Sequence, residues 1–149
     1  MTRFTITMNE ALDFILNSTE IAKGSEIFIP KITAYDMNLL TSSLFEVIKE
    51  TEEKIIGIRP GEKLHETLIS TDELQYTYEI NNLYAILNPL IHPSSNSSPK
   101  MRNYSDEELK ERYPGIKKVT DIETYSSNTV PKISKEELKT KIIELGLID

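Results

Sequence analysis

Arg59 and Glu62 flank the dipeptide Pro60-Gly61, and these four residues carry the most specific chemistry in the chain. Proline fixes φ and glycine tolerates φ > 0, so Pro60-Gly61 suits the central positions of a type II turn. Such a turn holds a guanidinium and a carboxylate on its two shoulders in a fixed relation. A guanidinium is permanently charged and forks onto phosphate or carboxylate oxygens; a carboxylate accepts from paired hydroxyls such as those of ribose. A nucleotide presents both groups. The same spacing also fits a surface turn with solvated charges. Arg3 is the second candidate, read either as a cation reaching from a strand end toward a neighbour or as a solvated terminal arginine.

Other chemistries fail on spacing. Tyr113 and Lys117 stand four apart, like the Tyr-Lys pair of short-chain dehydrogenases, but Pro114 and Gly115 between them break a shared helix face. His65-Glu66 is half of a zinc-protease pattern without its second histidine. The only other histidine is His92 and there is no cysteine, so no metal site is expected. Gly57 and Gly61 near Lys63 form neither G-x-x-x-x-G-K-[ST] nor G-x-G-x-x-G. No catalytic or cofactor-binding residue is therefore assigned.

The elements that must position the turn follow from periodicity. Ile55, Ile56 and Ile58 are β-branched and predict a buried strand leading into it. Before that, Arg3 to Ile6 reads as a strand end, with Phe4 and Ile6 on one face. Thr7 with Glu10 predicts a capping box for a helix with the stripe Met8, Ala11, Leu12, Ile15 and Leu16, stopped near Gly24. Ile27 to Ile29 reads as a strand closed by Pro30, and Asp36 as the cap of a second helix with Met37, Leu40, Leu44, Val47 and Ile48 apolar. Further on come a short helix capped by Ser70 and Glu73, and a strand over 83–87 ended by Asn88-Pro89. Two more capped helices follow, opened by Ser105 with Glu108 and by Ser134 with Glu137. Alternating helices and strands predict an α/β layer. Residues 1–92 read as one lobe, 93–104 as a Ser/Pro-rich linker and 105–149 as a helical extension, partly irregular.

With 149 residues the chain is long enough for a real core. A net charge of −7 disfavours nucleic acid or an anionic membrane as the main partner, so any anion must be captured locally. No apolar run approaches the length of a membrane span, and Met1 to Ile6 contains no apolar leader core, so a cytoplasmic location is the default.

Three segments together resemble one family. Met1-Thr2-Arg3-Phe4, Glu26-Ile27-Phe28-Ile29-Pro30-Lys31 and Ile56 through Glu66 occur in the order and near spacing of UDP-N-acetylglucosamine 4,6-dehydratases of bacterial polysaccharide biosynthesis. Those are extended short-chain dehydrogenase/reductases, and the chain resembles their C-terminal part. The Tyr125-Ser126-Ser127-Asn128-Thr129 stretch looks like their ending, less specifically. Thr5 departs from the pattern, which has an aromatic residue there.

The resemblance implies a small C-terminal lobe that closes over a UDP-sugar, with Arg59 on the diphosphate, Glu62 on the uridine ribose and Arg3 on a further part of the UDP. It implies that Lys63 supports the turn. In the complete family enzyme a Rossmann half holds NADP or NAD and oxidises the sugar at C4, before water is lost across C5–C6 and hydride returns at C6. The family's glycine-rich loop, Tyr-x-x-x-Lys pair and acid/base residues precede the matched part, and Met1 coincides with an internal methionine of the pattern. The expectation is a truncated or split lobe, incapable of hydride transfer alone. It would partner a UDP-sugar and a separately encoded Rossmann half, or self-associate. A protein-interaction module working through apolar surface near Phe4 and Ile6, and the lobe of a related epimerase, are the alternatives.

Overall fold

The computed structural model describes residues 1–48, 52–87, 90–91, 100–101 and 104–146. The chain opens with β1 (Thr2–Phe4), α1 (Met8–Ile21), β2 (Glu26–Pro30), β3 (Ala34–Asp36) and α2 (Met37–Val47). There follow β4 (Thr67–Ile69), α3 (Thr71–Leu74), β5 (Thr77–Ile80), β6 (Leu83–Leu87), β7 (Leu90–Ile91) and β8 (Lys100–Met101). The last elements are α4 (Asp106–Arg112), β9 (Lys117–Lys118), β10 (Tyr125–Ser126) and α5 (Lys135–Glu144). They form two compact units, each drawn from separate chain segments: Met1–Ala11, Ile32–Thr67 and Tyr125–Asp149 in one, Leu12–Lys31 and Leu68–Thr124 in the other.

In the first unit β1 lies antiparallel to β3, with Arg3 opposite Tyr35 and Phe4 opposite Ala34. The far side of β3 is bonded by the segment before α5, from Ala34 N–H to Pro131 O at 3.1 Å and from Ile133 N–H to Ala34 O at 2.8 Å. Asp36 caps α2 as predicted, accepting from the Leu39 N–H at 2.9 Å. The cap of α5 is a reciprocal Ser134–Glu137 box. Leu138 and Ile142 on α5 and Ile133 before it are buried, with Tyr35, Leu39, Leu40 and Leu44 packed against them. Glu46 at the end of α2 takes Lys135 and Lys139 from α5.

The second unit is built on an antiparallel sheet in the order β2-β6-β5-β9. Ile80 opposite Leu83 leaves two residues, Asn81-Asn82, to turn the β5–β6 hairpin. Their φ values of 50° and 72° are the left-handed pair that a type I′ turn requires and that asparagine tolerates. Buried Ile80, Ala85, Leu87, Leu109 and Tyr113 make its core. A polar pin closes the edge: the Glu26 side chain, 3% exposed, accepts from the Gly24 N–H at 2.7 Å and from the Tyr113 hydroxyl, beside Arg112. Burial pushes Glu26 upward, but the Tyr113 bond and backbone N–H groups outweigh it and hold the carboxyl below its usual range. Burial, then the bond to Glu26, push Tyr113 up to about 12.

Two expectations are corrected. Ile55, Ile56 and Ile58 form no strand and stand open, Ile55 at 91% exposure, because β-propensity cannot make a strand without a neighbouring strand to bond. Helix α1 forms with its Thr7–Glu10 box, but its predicted stripe faces outward: Met8, Leu12, Ile15 and Leu16 are each more than half exposed. Its inward face is Ala11, Phe14, Ser18 and Ile21, so the helix carries apolar residues on both sides. Phe4 is half-buried, its ring 5.5 Å from that of Tyr125, while Ile6 is 39% exposed. The larger apolar surface is thus on α1. Asn88-Pro89, and most of the stretch read as a linker, lie outside the described residues; β8 within that stretch pairs antiparallel with β7.

The Glu46 carboxyl is held down to about 2 by hydrogen bonds from Lys135 and then Lys139. A carboxylate depressed in the folded state contributes stability above its unfolded value, and the contribution disappears as pH falls through the folded one. Denaturant titrations should therefore show α2–α5 losing this contribution between pH 4.5 and about 2. The Lys135→Ala, Lys139→Ala variant should show a shallower loss over the same window.

Candidate functional site

The Arg59–Glu62 turn forms as its residue types dictate. Gly61 has φ +81° and the Glu62 N–H donates to Arg59 O at 3.0 Å, the two marks of a type II turn. The Glu62 side chain folds back onto its own turn, Oε2 accepting from the Arg59 N–H at 3.1 Å. The turn is therefore locked by a reciprocal pair, one bond through the backbone and one through the carboxylate. Arg59 stands exposed on the opposite shoulder from Glu62, and exposed Lys63 follows.

Arg3 is brought to the same place. Its Nη1 donates to Thr2 O at 2.8 Å and to Leu64 O at 3.4 Å. Nη2 then lies 3.6 Å from Glu62 Oε1, and Nε 3.6 Å from Glu66 Oε1. Both gaps exceed normal hydrogen-bond lengths, so these are ion pairs that leave carboxylate lone pairs available. Within the 59–66 segment and Arg3, three cations meet two carboxylates, giving a locally positive spot on a chain of net charge −7. All three residues selected from the sequence, Arg3, Arg59 and Glu62, thus belong to one cluster; Arg3 meets Glu62 by its side chain and Arg59 by way of that carboxylate.

The residues that hold the cluster were not assigned roles from the sequence. Thr2 N–H donates to Leu64 O at 2.9 Å, which ties β1 to the segment after the turn. Ser127, fully buried, sits between them: its Oγ lies 2.7 Å from Thr2 Oγ1 and accepts from the Glu66 N–H at 2.9 Å. Its own N–H donates to Glu66 O at 2.7 Å, and Ser126 Oγ donates to that same carbonyl at 2.8 Å. Thr2 Oγ1 is 2.8 Å from His65 Nδ1. The contacts form one network that runs from the Glu66 N–H through Ser127 and Thr2 to His65, with Ser127 Oγ also donating to Thr2 O at 3.2 Å. His65, read as a surface or packing residue, is exposed and serves as that end point. In the sequence these residues stood only inside the three resembling segments and the Tyr125 to Thr129 stretch, with nothing to join them.

The cluster offers cationic and hydroxyl-accepting groups. Among the described residues no group of three or more His, Cys, Asp or Glu could hold a metal ion. A nicotinamide dinucleotide does not fit these residues either. Among the described residues each helix start is closed by a local cap or box, at Thr7, Asp36, Ser70, Ser105 and Ser134, and none has the open glycine-rich turn that cradles a pyrophosphate. Tyr113 and Lys117 do not share a helix: Tyr113 terminates α4, its hydroxyl is bonded to Glu26, and Lys117 begins β9. No described helix is long and apolar enough to cross a membrane.

Comparison with known proteins places this geometry among relatives. Residues 1–88 match the family described as polysaccharide biosynthesis protein. The chain is 39% identical over 143 residues to the UDP-N-acetylglucosamine 4,6-dehydratase (inverting) of Campylobacter jejuni, covering 96% of this chain and 40% of that protein. It is 28% identical over 149 residues to the UDP-glucose 4-epimerase of Rickettsia felis, again covering 40% of that protein. Among solved structures, Pen from Bacillus thuringiensis matches with a TM-score of 0.72 at 31% identity, over 99% of this chain and 40% of that one. The part matched is the C-terminal part of the dehydratases.

Ser127→Ala should remove the partner of the Glu66 N–H in a dry position and cost about 1–3 kcal/mol. A lowered urea midpoint with an unchanged slope is the expected result; an unchanged midpoint would show that the junction does not hold the first unit together.

Proposed function

Because the chain belongs to the polysaccharide biosynthesis protein family, we propose that it is the UDP-sugar-binding portion of a UDP-N-acetylglucosamine 4,6-dehydratase-like protein, and that it is catalytically incomplete alone. The supporting observation is the locked type II turn, with the Arg59 side chain open on one shoulder and a Glu62 oxygen available on the other. In this reading Arg59 takes the diphosphate, Glu62 the ribose hydroxyls, and Arg3 adds positive charge to the UDP from behind Glu62. The similarity to an epimerase allows the same clamp to serve epimerisation, since both relatives are named for a UDP-sugar. The hydride chemistry needs NADP or NAD held by a Rossmann half outside these residues. A cytoplasmic setting belongs to the same proposal.

The turn is an open surface, and ligand sites usually bury most of their ligand. One wall of a clamp then gives weak affinity. Titrating UDP into the isotopically labelled chain should shift amides from Arg59 to Glu66 in a saturable way, with a dissociation constant of about 1 mM, equivalent to about 4 kcal/mol. Arg59→Ala should abolish the shifts; no saturable shift at millimolar UDP would overturn the reading.

A second reading, a protein-docking module, is favoured by α1. Leu12, Ile15 and Leu16 form an outward apolar face at helical spacing where a surface helix normally carries charge. We propose as its occupant the complementary lobe that relatives carry in the other 60% or so of their length. Without that lobe the face should drive self-association. Light scattering across a hundredfold concentration range should show growth in mass that Leu12→Glu with Ile15→Glu abolishes, with unchanged circular dichroism. A monomer throughout would count against it.

A further inference from the structure

Arg3 is a single cation placed between two carboxylates, which it faces with different nitrogens. Its Nη1 is anchored on two carbonyls, Thr2 O at 2.8 Å and Leu64 O at 3.4 Å, which fixes the guanidinium as a pivot. From that pivot Nη2 faces Glu62 and Nε faces Glu66, each at 3.6 Å. The two residues differ in how their backbones are held. Glu66 is tied at both backbone groups to Ser127, and its carbonyl also to Ser126. Glu62 stands on the open turn, with Oε2 already taken by the Arg59 N–H. Its Oε1 is thus the oxygen that faces both Arg3 and a ligand's hydroxyls.

We infer that Glu66 is a positioning residue for the nucleotide clamp: it holds Arg3 in common with Glu62 and takes it over when a ligand's paired hydroxyls engage Glu62. This rests on the UDP reading proposed above. Hydroxyl donors on Glu62 lower its hold on Arg3, and Glu66, whose backbone is tied to Ser127, accepts the cation with a turn of its side chain. A ligand shifts such a balance only through its differential affinity for the two arrangements. With Glu66 neutralised, Arg3 has Glu62 alone, the pair tightens, and hydroxyls must compete with a cation for Oε1. Partly exposed ion pairs bias an equilibrium by roughly two- to fivefold, which sets the size of the effect.

The test uses the full chain and two probes, UDP and 2′,3′-dideoxy-UDP, with binding followed by amide shifts for the wild type, Glu66→Gln, Glu66→Asp and Glu62→Gln. Glu66→Gln should weaken UDP by about two- to fivefold and leave the dideoxy ligand unchanged, since that ligand never asks for Glu62. Glu66→Asp keeps the charge and should retain most of the wild-type preference for UDP. Glu62→Gln should erase the preference altogether. A merely structural role for Glu66 weakens both ligands alike, and that result would overturn the inference while leaving the UDP reading intact. So would equal affinities of the wild type and Glu66→Gln for UDP. Absence of UDP binding by the wild type would overturn both.

Discussion

The buried hydroxyl of Ser127 is the constraint on which the first unit depends. One oxygen serves two strangers in sequence: it meets Thr2 Oγ1 and accepts from the Glu66 N–H. A hydroxyl can do this because it is donor and acceptor at once, and in a dry position each unmade bond would be expensive. Through Thr2 it fixes the strand that carries Arg3; through Glu66 it fixes the segment that leaves the turn. The ion pairs that look like the cluster's main feature, at 3.6 Å, are consequences of this neutral junction. Charge is arranged here by uncharged groups.

The sequence made legible whatever is decided within a few residues. Four Ser/Thr–Glu boxes and the Asp36 cap formed as expected, because their donors and acceptors lie three residues apart. The Pro60-Gly61 turn was equally local. What depends on distant partners was not legible. Residues 55–58 have strand propensity and no strand to join, and α1 has two apolar faces, of which the one with the larger side chains faces outward. The short strands β3, β5, β9 and β10 have too few residues to show a period. Arg3, Arg59 and Glu62 were recognisable by type and spacing; Thr2, Glu66 and Ser127 were not, because no pattern in one chain reveals that residues 2, 66 and 127 share a hydrogen-bond network.

The two units divide chemistry from packing in different ways. The first is polar at its organising point and apolar where α2 meets α5, with Glu46 and two lysines at the rim. The second has a conventional sheet-and-helix core, with one buried carboxylate gathering a tyrosine and the loop after α1. A carboxylate tied by several donors is rigid and unavailable, which distinguishes Glu26 from Glu62. The former completes a fold and the latter leaves a lone pair toward solvent.

The junction also has a place in time. Thr2 and Ser127 are 125 residues apart in sequence, and α5, which completes the apolar core beside them, lies farther still. The strand bearing Arg3 cannot be fixed until the segment that carries Ser127 has been synthesised, so during translation this partner is absent for many seconds. Contacts of such long sequence separation form slowly, since loop-closure entropy precedes any reward. The clamp thus takes shape later than the local turns and capped helices made between its two halves.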